Sequence, residues 1–176
     1  SLPFLSTTLP RMLTRDFYKA ENSAFYTTVS SAATGSTTTA ETTDLKQLVD
    51  YIGNQKAANY VASFAVVSPT QMGRLLKDTI SQGYYAGSGS VIVNPNGGIT
   101  IWGVPVVAAS WVADDKVLIL DNNYCERVEV EGLAIEFSYE NASNFQQNMV
   151  TARIECYEDV NLMQPASAIF ADFGNV

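Results

Sequence analysis

The sequence contains no histidine, and this absence removes several kinds of chemistry at once. Histidine is the commonest general base, the commonest metal ligand and the usual switch near neutral pH. A serine nucleophile therefore lacks its usual partner, and no G-x-S-x-G elbow is present. A Ser–Lys pair, formed by Ser68 or Ser81 with Lys77, stays formally open, but a helix cap and a surface lysine explain these residues better.

Cysteine is also scarce, since Cys125 and Cys156 are the only two in the chain. Two are too few for a disulfide framework or a structural zinc site. Cys156 alternates with apolar residues, which favours a small buried hydrophobic side chain over a reactive thiol. A single disulfide between Cys125 and Cys156 stays open. Long apolar runs are missing as well, so we expect neither a membrane span nor a signal peptide. The sequence begins with Ser1 and not with an initiator Met, so we expect the chain to be a fragment or a processed product.

No cofactor-binding motif occurs in the segments whose composition could suggest a binding site. The glycine-rich stretch Gly83–Gly98 has neither Gly-Lys-Ser/Thr nor G-x-G-x-x-G, so nucleotide binding is not expected. The acids Asp114-Asp115 and the later glutamates could be interpreted as a glycosidase or calcium site. No calcium-loop pattern supports this, and a turn with solvated strand faces is the interpretation that we prefer. We therefore predict no enzyme, no cofactor and no metal.

Charge is unevenly distributed along the chain, whose formal net charge is −8. Residues 1–110 carry seven basic and six acidic side chains, whereas residues 111–176 carry three basic and twelve acidic ones. Such an acidic half would repel a phosphate backbone, so specific binding of nucleic acid is not expected.

Helical periodicity is concentrated in the first half. It predicts helices at Leu9–Val29, at Asp44–Gln55 with Thr43 as N-cap, and from Pro69 to Gly83. For the third helix, Ser68 is the expected cap and Gln71 its capping-box partner. The Thr/Ser-rich segment 33–43 between the first two reads as a linker.

Strand patterns dominate the second half, and the chain is organised around residues 101–124. Ile101–Ala109 and Lys116–Leu120 read as two strands joined by a polar tip at 113–115, and the first is apolar on both faces. Further strands are predicted at Tyr60–Val67, Val91–Val93, Met149–Glu158 and Ala166–Ala171. Near Arg127–Tyr139 the apolar phase flips at Glu131-Gly132, which indicates a turn or a bulge. The class is α+β, a mixed central sheet flanked by helices.

Three large aromatic residues lie in or beside predicted loops, where they have little core to enter. They are Trp111, Tyr84 and Tyr85. Aromatic side chains are favoured as anchors of protein interfaces, so these three are candidate contact residues.

The order of several segments resembles one known family. These segments are S-P-T-Q-M-G-R-L-L-K-D-T from Ser68, I-W-G-V-P-V-V from Ile101, D-K-V-L-I-L-D-N from Asp115, R-V-E-V-E-G from Arg127, M-V-T-A-R-I-E-C-Y-E-D-V from Met149 and P-A-S-A-I-F from Pro165. No single motif is specific, but their order over Ser68–Phe170 is similar to the C-terminal two-thirds of tailed-bacteriophage major capsid proteins of the Hong-Kong-97-type fold.

That resemblance implies a fold of two parts. A peripheral domain would take residues 1–42, with the end of the spine helix and a linker, together with the strands of residues 126–176. An axial domain would take residues 43–125. The family's N-terminal arm and extended loop do not fit ahead of Leu9, so we expect a truncated chain or a proteolytic core, which could be monomeric by itself.

The resemblance also implies a function, the self-assembling major capsid protein of a tailed phage or prophage. Full-length subunits would form hexamers and pentamers around double-stranded DNA that is enclosed without specific binding, in a virion assembled in the bacterial cytoplasm and with no membrane. Asp114 and Asp115 at the polar tip then join Trp111 as candidate subunit contacts. The alternatives are an encapsulin-like nanocompartment shell and, from another class, an acidic hydrolase or a secreted binding module.

Overall fold

The computed structural model describes residues 7–36, 41–81, 91–94, 98–141, 144 and 149–174. The helices within these residues are α1 (Leu9–Ala32), α2 (Asp44–Ala57) and α3 (Pro69–Ser81). The strands are β1 (Thr34–Ser36), β2 (Phe64–Val67), β3 (Val91–Val93), β4 (Ile99–Ile101), β5 (Val104–Ala108), β6 (Lys116–Leu120), β7 (Cys125–Ser138), β8 (Thr151–Leu162) and β9 (Ala168–Asp172). The predicted α+β class is confirmed. No helix in this part of the chain is long and apolar enough to cross a membrane.

Helix starts follow the capping chemistry that the sequence predicts. Thr43 precedes α2, and its side chain accepts a hydrogen bond from the Lys46 amide. Ser68 precedes α3, and its hydroxyl accepts from the Gln71 amide at 3.0 Å. These caps satisfy amide groups that have no partner within the helix. Only the first half of the predicted capping box forms, because the Gln71 side chain donates instead to Asp44 at 2.6 Å.

Seven strands form one mixed sheet in the order β1-β9-β6-β2-β5-β4-β3. The central strand β2 is parallel to β5 and antiparallel to β6. Its Ala65 and the facing Val106 and Ile119 are buried, together with Leu48 and Ile52 of α2 and Leu75 of α3. Strands β2 and β6 are buried along most of their length, which explains their continuous apolar runs. Strand β5 is apolar on both faces in sequence but buries only Val104 and Val106, so its other face is not covered by the residues that the structure describes.

The stretch Ile101–Ala109 is not one strand, as its sequence suggested, but a hairpin that ends β4 and begins β5. Ile101 pairs with Val104, and Trp102 and Gly103 between them both have positive φ, at 50° and 83°. Two-residue hairpin turns with positive φ at both positions match the twist of the flanking strands. The predicted hairpin of β5 with β6 is also wrong, because β2 lies between them.

Strands β7 and β8 form a separate two-stranded sheet, called here the ribbon. Arg127 near the start of β7 contacts Glu158 toward the end of β8, and Glu136 contacts Arg153, so the two strands run antiparallel. Strand β7 continues through Glu131 and Gly132. No turn divides it there, so the apolar phase change puts apolar side chains on both faces of the ribbon.

The chain divides into two compact units. The ribbon unit contains Ser1–Phe25 and Arg127–Val160, and the sheet unit contains Tyr26–Glu126 and Asn161–Val176. Strand β9, expected among the back strands of residues 126–176, instead pairs with β1 and β6 of the large sheet. Its Ala168, Ile169 and Ala171 are buried there, which local alternation alone could not reveal.

Candidate assembly surfaces

Trp111, a predicted contact residue, belongs to a cluster of aromatic rings in the sheet unit. The centroids of the Trp111 and Tyr26 rings are 5.3 Å apart, and Tyr26 also meets Phe170 edge-on at 6.1 Å. Burial raises the pKa of Tyr26, and nearby Asp172 adds to the rise. Trp111 is half-buried by these neighbours, so part of its surface already packs within the chain.

Asp114 and Asp115, at the polar tip before β6, have partners in the N-cap of α3 and in α3 itself, respectively. The Ser68 hydroxyl donates to Asp114 at 2.5 Å, and Arg74 forms an ion pair with Asp115. The Asp115 carbonyl also accepts from the Phe173 amide at 2.8 Å. These contacts fix the tip against the start of α3, which favours the structural turn over a carboxylate site. Since Ser68 serves as a helix cap and is buried, it is not available as the nucleophile of a Ser–Lys pair.

Tyr84 and Tyr85, the other two predicted contact residues, lie outside the residues that the structure describes. Their role as subunit contacts stays a prediction.

A charged cluster in the ribbon unit was not predicted from the sequence. The Arg127 guanidinium lies 2.9 Å from Glu21 of α1, 3.1 Å from Glu129 of β7 and 2.6 Å from Glu158 of β8. The side chains of Glu21 and Glu158 are only 6% and 9% exposed. The arrangement joins helix to ribbon by compensating two buried carboxylates. One signal was available, because Glu21 continues the spacing of Leu13 and Phe17 on the inner face of α1.

Burial raises the pKa of Glu21, and its hydrogen bond with Glu158 and that residue's charge raise it further, while Arg127 lowers it. The hydrogen bond that Arg127 donates to the Glu158 carboxylate raises the pKa of Arg127, so the guanidinium stays charged. Two carboxylates that approach one another beside one cation favour a shared proton.

Glu129, Cys156 and Glu158 bring their potential ligand atoms within 4.8 Å of one another. Both carboxylates already contact Arg127, and the Cys156 thiol donates to the Glu131 carbonyl at 3.1 Å. Burial, followed by the charge of Glu158, raises the pKa of Cys156 and disfavours the thiolate that binds metals. The chemistry of this set fits an ion-pair cluster better than a metal centre. Both cysteines are free thiols.

Comparison with known proteins gives one family match in sequence and several matches in fold. The family model described as "Phage capsid protein" matches residues 1–168. No curated protein matches the chain in sequence.

Three solved structures illustrate the similarity. The "Mycobacterium phage Che8" structure has a TM-score of 0.66 at 13% identity, covering 93% of this chain and 61% of that one. The capsid of cyanophage P-SCSP1u has a TM-score of 0.61 at 13% identity, covering 98% and 65%. The SrpI encapsulin of Synechococcus elongatus has a TM-score of 0.66 at 12% identity, covering 92% and 63%.

The chain thus spans less than two thirds of the length of these proteins. At such identities the similarity shows the fold alone, which is the Hong-Kong-97 type shared by phage capsids and encapsulins. The family match extends over nearly the whole chain. The chain belongs to the phage capsid protein family.

Proposed function

We propose that the chain is the structural subunit of a viral shell, the major capsid protein of a tailed phage or prophage. The observation that carries this proposal is the match of residues 1–168 to the phage capsid protein family. The two-unit α+β fold agrees with it. Full-length subunits would associate into hexamers and pentamers that enclose double-stranded DNA, in a capsid assembled in the bacterial cytoplasm.

The mechanism would be geometric, with no catalytic step. Sheet units, in the role of axial domains, would meet around the symmetry axes, and ribbon units, in the role of peripheral domains, would overlap between capsomers. Trp111 and the tip at Asp114-Asp115, together with Tyr84 and Tyr85, are the contacts that we propose around the axes. Since the tip acids already have partners in α3 and its N-cap, the exposed part of Trp111 is the better anchor.

The acidic second half of the chain offers the enclosed DNA no surface that would attract its phosphates. Residues 111–176 carry twelve acids against three basic groups. If these acids face the lumen, like charges let the DNA move during packaging. Finding them on the outer face of an assembled shell would contradict this part of the proposal.

An encapsulin-like nanocompartment is the second candidate, because the SrpI encapsulin has a TM-score as high as the Che8 structure. Its shell would enclose a cargo enzyme instead of a genome. The family match favours the phage protein.

The decisive experiment is electron microscopy of the product of the complete gene expressed in bacteria. Closed shells in the soluble lysate support the proposal, and nuclease-protected DNA inside native particles separates a capsid from a protein-filled compartment. Monomers at every concentration would contradict both candidates. A hydrolytic activity lost when Asp114, Asp115, Glu129 and Glu131 are mutated together would support the enzyme alternative.

A further inference from the structure

The outer face of the ribbon is an acidic surface with exposed apolar residues. Alternation along β7 and β8 separates the side chains that meet Arg127 from those that point the other way. On the outward side, Val128, Val130 and Tyr157 are 45%, 82% and 58% exposed. These residues share this face with Glu136, Arg153, Glu155 and Asp159, three acids and one base.

The ion pairs of this face leave it negative. Arg153 contacts Glu136 at 2.6 Å and Glu155 at 3.1 Å, so one guanidinium serves two carboxylates. Asp159 is exposed, and its carboxylate accepts a hydrogen bond only from the adjacent Val160 amide among the bonds that the structure describes. Two-stranded sheets are marginal by themselves, so a ribbon with an uncovered apolar face gains from a partner.

The outward face of α1 in the same unit has the opposite charge. Arg11, Arg15 and Lys19 recur every four residues and are all exposed, which aligns them in one stripe. The exposed apolar side chains of Met12 and Tyr18 lie beside this stripe. Asp16 of the same helix pairs with Arg15 at 2.8 Å in a solvent-exposed contact.

These two faces cannot meet within one chain. The inner face of α1 contacts the inner face of its own ribbon through Glu21 and Arg127, so the basic stripe and the outer ribbon face point away from each other. Each has the charge and the apolar residues that the other requires. A contact between them needs two copies, and it is heterologous, the kind that builds rings and shells by repetition.

We propose that the basic stripe of α1 (Arg11, Arg15 and Lys19, with Met12 and Tyr18) binds the outer ribbon face (Val128, Val130, Tyr157, Glu155 and Asp159) of a second copy of this chain. This inference rests on the proposed shell function and names the partner of the ribbon unit in it. Exposed ion pairs contribute little individually, so the contact is weak between two copies and becomes effective when repeated in a shell.

Charge reversal in the complete gene product tests the contact. One variant carries Arg15→Glu and Lys19→Glu, and a second carries Glu155→Lys and Asp159→Lys. Lys46→Glu with Lys77→Glu is the matched control for the first variant, since it makes the same charge change on the sheet unit. Circular dichroism and thermal unfolding establish that each variant folds, and electron microscopy with light scattering measures assembly.

We expect each reversal variant alone to lose shells while the control keeps them. The four substitutions combined in one chain should restore shells, because both faces have then exchanged sign. Mixing the two defective proteins should restore association in light scattering, since the acidic helix of one copy can bind the basic ribbon of the other. A contact within one chain could not be rescued by mixing.

Three results would overturn the inference. Normal shells from either reversal variant would show that these faces do not meet, and so would a combined variant that stays defective. In both cases, shells formed by the wild type would leave the proposed function intact. DNA binding by wild-type subunits that disappears with Arg15→Glu and Lys19→Glu would identify phosphate as the partner of the stripe. A wild-type product that never assembles would remove the proposed function and this inference together.

Discussion

Glu21 is a carboxylate on the inner face of α1, nearly excluded from water and held by the guanidinium of Arg127. Its environment contains Glu158 and Glu129 as well as Arg127, so three acids compete for one cation. Burying a charge is costly unless it is compensated, and here the compensation is incomplete. Glu21 Oε1 has no hydrogen-bond partner, despite its ion pair with Arg127. The contact between helix and ribbon should therefore depend on pH.

We expect Glu21→Gln to change how stability varies with pH. The pKa of Glu21 is raised above its ordinary value of 4.5, so the folded state binds its proton more tightly than the unfolded state. This contribution to stability is full below the ordinary value and is lost as pH rises through the raised pKa. Urea unfolding of both proteins at a series of pH values measures it.

The wild type should lose stability relative to Glu21→Gln as pH increases through that window. Glu140→Gln, on an exposed carboxylate, is the control and should follow the wild type. A difference between wild type and Glu21→Gln that is constant at every pH would contradict the prediction.

At the scale of elements, helix α2 holds strand β9 in the large sheet. Tyr51 of α2 is fully buried, donates to the Asp172 carbonyl at 2.6 Å and meets the Phe173 ring edge-on. Gln55 of the same helix donates to the Ser167 carbonyl at 2.7 Å. Two contacts from one helix thus fix both ends of β9, which keeps this late segment in the sheet.

Two glycines in these elements should respond in opposite ways to alanine. Gly103→Ala forces a side chain onto a residue with φ of +83°, which costs about 1–2 kcal/mol. Gly73→Ala adds a methyl group to α3 where nothing lies within 4 Å. It should stabilise the protein by about 0.5–1 kcal/mol, because alanine loses less backbone freedom on folding.

The urea unfolding midpoint of each variant measures these changes, and each glycine serves as the control for the other. Shifts in the same direction would contradict the assignment of a positive-φ turn at Gly103 and an open helical surface at Gly73.

At the scale of the whole molecule, the sign of the charge decides what the chain can bind. Net charge is −8 and the isoelectric point is about 4.4. Three of the ten basic residues form the stripe on α1, so the remaining surface is still more acidic. In the proposed shell, DNA would be held by enclosure and not by electrostatic attraction.

We expect the purified chain not to retard double-stranded DNA in a gel even at about 50 mM salt, where electrostatic binding is strong. A basic DNA-binding protein run beside it provides the positive control. Retardation that weakens steeply as salt increases would contradict the prediction and would assign phosphate contacts to the chain.

The sequence by itself determined the class, the three helices with two of their caps, and the strand Lys116–Leu120. These features depend on short-range chemistry, such as periodicity and the hydroxyl groups of Thr43 and Ser68. The order of motifs also pointed to the capsid family, which the family match over residues 1–168 confirms. The position of Asp114 and Asp115 in a turn could be predicted from the sequence, although their partners Ser68 and Arg74 could not.

Only the tertiary structure decided which strands pair and which charges meet. Strand β2 separates β5 from β6, and β9 joins a sheet whose other strands lie more than forty residues earlier. Neither pairing leaves a local pattern, because hydrogen bonds between strands form through the backbone. The Arg127 cluster likewise joins residues from three distant segments. The sequence showed that the apolar alternation changes phase at Glu131-Gly132. Only the structure shows that β7 continues through this point, which places apolar residues on both faces of the ribbon and leaves Val128 and Val130 exposed.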